Sequence, residues 1–392
     1  MTPSIRVFLQ VILLWAAGLG AATQFAKIAV PFEEVAQLYP SHADTIGWLL
    51  SIISLMGAVL GALSGALTGW FGPVRLLIVG LVLGGVISVL QATQPAFGLM
   101  LASRVVEGLS HLAIVVAAPT LIAQITTGRA RDAAMVLWSS FFGVAFALNA
   151  WIGLPVVEAY GLPVFFTAHG VVMIAAAVLI LLCRIPVQIP HHDTSLGGWR
   201  AVVDVHLRTY RSPFVSAPAI GWFFYTLTFV SLLAILPGRL PEESRAVVAG
   251  LMPLAGIALS WLAVPPLLTV MSAVAVVNLG FLLGILTIAA GFAGLPVPIL
   301  CVALFGVLGL VQGGSFAAVP LLNQAAETQA LGYGAMAQMG NAGNLLGTPI
   351  LLALLWRTGE GGMLMAIILF YALAFCAHIL LARRRADRAQ VG

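Results

Sequence analysis

An all-α membrane protein, with twelve transmembrane helices in two pseudo-symmetric six-helix bundles, is the fold class this sequence predicts. Three observations carry that expectation. The chain is 61% hydrophobic and only 8% charged, whereas soluble globular chains carry about 25% charged residues. At about 20 apolar residues per crossing, twelve apolar segments can be laid along it. Finally, a short stretch in the fourth segment recurs in the tenth, half a chain away.

In order, the segments fall at about 6–30, 45–69, 74–93, 96–125, 133–157, 162–184, 214–237, 245–264, 267–291, 296–322, 333–356 and 362–382. The first is too long for a secretory-signal core and is read as a retained helix. The junction at Pro265-Pro266 has no polar loop to mark it. The hydrophilic interruption from Arg184 to Pro213 splits the chain into residues 1–184, a linker at 185–213, and residues 214–392 with a basic tail. Within the linker, Ser195 to Arg211 reads as an amphipathic surface helix with Trp199, Val202, Val203 and Leu207 toward lipid. His191-His192-Asp193 is read as solvated linker, because three consecutive residues converge poorly on one metal ion. No metal site or cofactor is expected, and Cys183, Cys301 and Cys376 all sit in apolar runs, so no disulfide framework is expected either.

Arginine placement orients the chain. With the N-terminus inside, the inner loops hold Arg75, Arg129, Arg131, Arg184, Arg200, Arg208 and Arg211, and the inner tail holds Arg383, Arg384, Arg385 and Arg388. The outer loops hold Glu33, Glu34, Asp44 and Glu158 against Arg239, Arg245 and Arg357. Both termini are therefore expected in the cytoplasm of an inner (plasma) membrane. Arginines at helix ends suit the bilayer rather than nucleic acid.

The repeat pairs Ala117-Ala118-Pro119-Thr120-Leu121-Ile122-Ala123-Gln124 with Ala317-Ala318-Val319-Pro320-Leu321-Leu322-Asn323-Gln324, and Glu107-Gly108 with Gln312-Gly313. Two parallel copies about an axis along the membrane normal are expected to show this offset. Glycine-spaced faces at Gly57, Gly61, Gly65 and Gly69, and at Gly340, Gly343 and Gly347, suit close backbone approach, whether static or sliding. Pro119 and Pro320, in corresponding spans, mark expected points of flexing.

Chemistry centres on Arg104-Val-Val-Glu107-Gly108-Leu-Ser-His111. Each ionisable group at mid-membrane costs about 2.5 to 3.5 kcal/mol on insertion scales, so a compensating environment is required. Offsets of three and seven put Arg104, Glu107 and His111 on one helix face. That face is expected either to look into a polar cavity or to form an ionic clasp between helices. Glu107 and His111 are the groups expected to handle protons. Lys27, the only lysine in the chain, either snorkels to headgroups or anchors an anion, with Glu107 as its resting partner. In span eleven Gln338, Asn341 and Asn344 form a drifting polar stripe that, with Gln312, serves as a neutral wall or as interhelical glue. Trp222 and Tyr225 are expected to line a cavity or to pack.

Two stretches resemble motifs of the major facilitator superfamily. Gly65-Ala-Leu67-Thr-Gly69-Trp-Phe-Gly72-Pro-Val-Arg75 resembles its glycine-rich signature, with Gly69 where the family usually has an acid and Trp70 where it usually has a base. Arg104-Val-Val-Glu107-Gly108 is similar to its span-four arginine-to-glycine motif, which the resemblance links to proton coupling. Span five has Gly143, Gly153 and Pro155 but no Gly-Pro pair, so the antiporter signature is absent.

The expectation is a monomeric secondary transporter working by alternating access, with a cavity between its halves. Lys27, Arg104, Gln312, Gln338, Asn341, Asn344, Trp222 and Tyr225 would bind substrate, a small organic anion moved with protons. Gly65, Gly69, Gly72, Arg75, Pro119 and Pro320 would serve its conformational change. The rivals are an exporter of amphipathic compounds, with a cavity lined by Phe141, Phe142, Trp151 and Trp222, and a polytopic membrane enzyme. No enzymatic activity is expected: the only acid/base cluster near an interface is His191-His192-Asp193. No nucleotide-binding glycine loop followed by lysine is present.

Overall fold

The structure is a computed structural model that describes residues 3–61, 71–185 and 206–391. Gly65, Gly69 and the His191-His192-Asp193 triplet lie outside the described residues, as does the expected amphipathic helix except for residues 206–211, which are helical. The chain divides into two compact units, Met1–Thr194 and Ser195–Gly392. No strand occurs among the described residues.

The first unit contains α1 (Pro3–Ala29), the short α2 (Phe32–Gln37), α3 (Gly47–Leu60), α4 (Pro73–Ala92), α5 (Phe97–Ile125), α6 (Gly128–Ser139) and α7 (Phe141–Cys183). The second contains α8 (Ser216–Ile235), α9 (Glu242–Leu267), α10 (Ala273–Phe292), α11 (Val297–Leu322) and α12 (Ala326–Val391). Among the described residues nine helical stretches are long and apolar enough to cross a membrane. Two of these, α7 and α12, break once, at Gly161 (φ +80°) and Gly359 (φ +73°). Only glycine takes such backbone angles without strain. Each break falls where the sequence placed a gap between two apolar segments.

The helices bury small and polar residues and expose large apolar ones. On α4, Val79, Val82, Val86 and Val89 form an exposed stripe, while Gly80, Gly84, Ser88 and Gln91 are buried. Lipid is as apolar as valine, so packing and hydrogen bonds, not hydrophobic burial, decide which face turns inward. Small residues then let backbones meet. A Cβ at Gly85 would lie 2.9 Å from Gly170 O, and one at Gly170 would lie 2.8 Å from Gly85 O. On α12, a Cβ at Gly343 would lie 2.6 Å from Phe223 O and 2.8 Å from Leu227 N. The glycine face of span eleven is thus seated on the backbone of α8.

The sequence repeat has a packing counterpart. Gly108 of α5 abuts the Ile53 carbonyl in the α3 region, and Gly313 of α11 abuts Ser260 and Val264 of α9. Pro119 and Pro320 lie inside α5 and α11 without ending either helix. The expected junction at Pro265-Pro266 needs correction. Both prolines ride in the last turns of α9, and the next helix begins only at Ala273, where the Ser272 side chain accepts from Ala275 N. Near a helix end the carbonyls that proline leaves unbonded are close to water, so the usual penalty is reduced.

Gly343→Ala is expected to destabilise the purified protein by about 1–3 kcal/mol, the usual cost of overpacking, read as a lowered melting temperature. Gly98→Ala, with nothing within 4 Å of its would-be Cβ, should melt as the wild type does.

Candidate functional site

Five helices of the first unit meet around one carboxylate and the groups that hold it. Glu107 on α5 faces Lys27 Nζ of α1 at 2.6 Å through Oε1. Its Oε2 pairs with Arg104 one turn away and accepts from Gln91 Nε2 of α4 at 3.0 Å. Arg104 also donates through Nε to Leu49 O of α3 and through Nη1 to Gln24 O of α1, both at 2.8 Å. Lys27 donates to Ser88 Oγ of α4 at 2.9 Å and lies 5.6 Å from the Phe166 ring centre of α7. Ser88 Oγ is in turn 2.9 Å from both Phe166 O and His169 Nδ1 of α7. The opposite ring nitrogen of His169 is 3.0 Å from Gly20 O of α1.

Lys27, Arg104, Glu107, Ser88 and Gln91 have no exposed surface. Lys27 therefore does not snorkel, and it does pair with Glu107. The face expected to open onto a wet cavity is instead enclosed by the neighbouring helices. Burial raises the stakes of the charge count, because each buried ion carries a desolvation cost of several kcal/mol even after relaxation. Two cations meet one carboxylate, which leaves one positive charge uncompensated when all three are ionised. Among the described residues, the side-chain atoms Arg104 Nη2, Gln24 Oε1 and Gln91 Oε1 are buried without a hydrogen-bond partner.

The remaining sequence-predicted residues divide. Half-buried His111 shares the helix face but not the cluster's hydrogen bonds: its Nδ1 is 3.0 Å from Ala21 O, and its ring meets Phe25 edge-on at 5.0 Å. In the second unit, Tyr225 donates to Gln312 Oε1 at 3.2 Å and stacks on Trp222 at 4.8 Å. The span-eleven stripe does not gather on one point. Gln338 accepts from Tyr210 at 2.8 Å, Asn341 donates to Ala337 O of its own helix at 2.8 Å, and Asn344 Oδ1 is buried without a hydrogen-bond partner. Gly72 (φ +74°) caps the start of α4, and Arg75 is exposed on its first turn.

Sequence reasoning missed Ser88, Gln91 and His169. The signal was available for His169, the only histidine or charged residue between Leu162 and Cys183, and intramembrane ionisable groups mark function by default. Ser88 and Gln91 are three apart in an apolar span, a weaker cue.

The description that matches this chain, over residues 11–348, is Major Facilitator Superfamily. The chain belongs to the Major Facilitator Superfamily. Within the superfamily it is 27% identical over 183 residues to the niacin transporter NiaP of Acinetobacter baylyi, covering 46% of this chain and 41% of that protein. It is 24% identical over 152 residues to multidrug resistance protein 1 of Bacillus subtilis, covering 39% of each chain. It is 28% identical over 193 residues to the multidrug efflux pump LfrA of Mycolicibacterium smegmatis, covering 48% of this chain and 37% of that one. The matched stretch thus spans about two fifths of each relative's length.

Removing one member of a buried ionic cluster strands the others. Glu107→Ala is expected to lower stability by about 3–5 kcal/mol, with much of the loss recovered in the double variant Lys27→Met, Glu107→Ala. Thermal unfolding of the purified variants checks both.

Proposed function

We propose that this superfamily member is a secondary active transporter that carries a small organic anion with protons by alternating access. The observation that supports the reading is the buried excess of one positive charge around Glu107, together with the unpartnered Arg104 Nη2. A carboxylate is the guest whose charge and lone pairs complement that arrangement. The substrate's carboxylate competes with Glu107 for Lys27 and Arg104, and a proton on Glu107 tips the competition toward the substrate. Proton and anion then bind together, which is symport. The relative named for niacin, itself a carboxylic acid, is consistent with this class.

In the same reading the chain makes twelve crossings in two six-helix bundles, with both termini in the cytoplasm, and works as a monomer. The breaks at Gly161 and Gly359 separate two pairs of crossings. Gln312, Gln338, Asn341, Asn344, Trp222 and Tyr225 form the neutral part of the substrate route, and His111 assists proton handling from the α5 face. Gly65, Gly69, Gly72, Arg75, Pro119 and Pro320 belong to the moving parts. A second reading, export of amphipathic compounds, is favoured by the two relatives named as multidrug proteins.

Uptake of radiolabelled nicotinate and benzoate into proteoliposomes under an imposed proton gradient tests the proposal. Glu107→Gln should abolish proton-driven accumulation while retaining binding, and Lys27→Ala should abolish binding. No carboxylate uptake by the wild type, with export of a lipophilic cation, would establish the second reading instead, and unchanged uptake in both variants would remove Glu107 and Lys27 from the mechanism.

A further inference from the structure

The Glu107 cluster is sealed, so a proton needs a route to it. We infer that His169 and Ser88 form that route, a relay running from His169 Nδ1 through Ser88 Oγ and Lys27 Nζ to Glu107 Oε1. This rests on the reading above in one respect, that Glu107 takes up a proton.

The links are 2.9 Å from His169 to Ser88, 2.9 Å from Ser88 to Lys27 and 2.6 Å from Lys27 to Glu107. All three are within hydrogen-bond reach for proton transfer. His169 is 6% exposed, whereas Ser88, Lys27 and Glu107 have no exposed surface. It is therefore the member of the chain that reaches a surface.

The serine hydroxyl supplies the switch. It has one hydrogen and two acceptors at 2.9 Å, Phe166 O and His169 Nδ1. With His169 neutral, Nε2–H donates to Gly20 O, and Nδ1 is free to accept from Ser88. With His169 cationic, Nδ1–H donates to Ser88, whose own hydrogen turns to Phe166 O. Both states are satisfied without moving a helix, because a hydroxyl rotates to suit its neighbours.

The transfer balances as follows. Lys27 ammonium gives a proton to Glu107 and becomes a neutral amine. The amine turns its lone pair to Ser88, the Ser88 hydroxyl rotates from Phe166 O to the amine and gives it its proton, and Ser88 takes the Nδ1 proton of cationic His169. The products are neutral His169, an intact Ser88 hydroxyl, Lys27 ammonium and neutral Glu107, so one proton has moved from His169 to Glu107.

The charged groups acting on His169 are Lys27 of α1 and Arg104 and Glu107 of α5, and its partner on α4, Ser88, is uncharged. Ser88 and His169 are thus positioning residues for proton delivery and need not touch substrate.

Time-resolved infrared spectroscopy of the purified protein after an acid jump tests this without any substrate. The protonated-carboxyl band of Glu107 is assigned by its loss in Glu107→Gln. The relay predicts that Ser88→Ala and His169→Gln slow the appearance of this band by roughly a hundredfold, the usual scale for losing a positioned proton donor. Ser88→Thr, which keeps the hydroxyl, should restore the wild-type rate. Equal rates in wild type, Ser88→Ala and His169→Gln would overturn the relay, as would a band that never appears in the wild type. Transport can fail for lack of the right solute while this band still reports; equal rates sink the relay and leave the transport reading standing, whereas a missing band sinks both.

Discussion

One carboxylate holding two cations from two directions is the constraint on which the first unit depends. Arg104 is bound to Glu107 along its own helix, and also to Leu49 O and Gln24 O on two others. Lys27 reaches Glu107 from α1 while donating to α4. Each cation is thus tied to at least two neighbouring helices. In lipid, where apolar contact adds no drive for association, such bonds decide which faces meet. The glycines let them form: Gly80 and Gly84 bring α4 against Ser110, and Gly108 brings α5 against the Ile53 carbonyl.

The second unit contains a neutral counterpart. Where Glu107 has the repeat partner Gln312, the bond from the unit's first long helix comes from the Tyr225 phenol. Thr228 and Tyr371 share a second buried bond at 2.8 Å between α8 and α12, as Gly20 O and His169 do between α1 and α7. Both units thus tie their first and last long helices by a buried hydrogen bond, and the two differ in charge. Among the described residues the buried ion pairs lie in the first unit, and the second offers aromatic and amide groups.

Much of this was legible in the sequence, for physical reasons that differ by element. The ends of α4, α5 and α11 were readable because proline, glycine or polar residues flank their apolar runs. The pairing of Arg104 with Glu107 followed from helical spacing, and the pairing of Lys27 with Glu107 from the scarcity of partners for an intramembrane lysine. The end of α9 was not readable, because Pro265-Pro266 fits a final helical turn as well as a loop. The enclosure of the cluster, and the roles of Ser88 and His169, depend on which faces of α4 and α7 turn inward. Serine spacing does not encode that, and the relevant glycines read equally well as lipid-facing. The amide stripe of span eleven shows the converse: regular spacing on one helix did not bring Gln338, Asn341 and Asn344 to a common partner.

The central claim is that an anion displaces Glu107 from its cations as that carboxylate takes up a proton. Calorimetric titration of the purified protein with nicotinate, repeated in buffers of different ionisation enthalpy, counts the protons exchanged on binding. About one proton should be taken up per anion bound by the wild type and none by Glu107→Gln, as linkage requires. Binding with no proton uptake in the wild type, or with the same uptake in the variant, would contradict it.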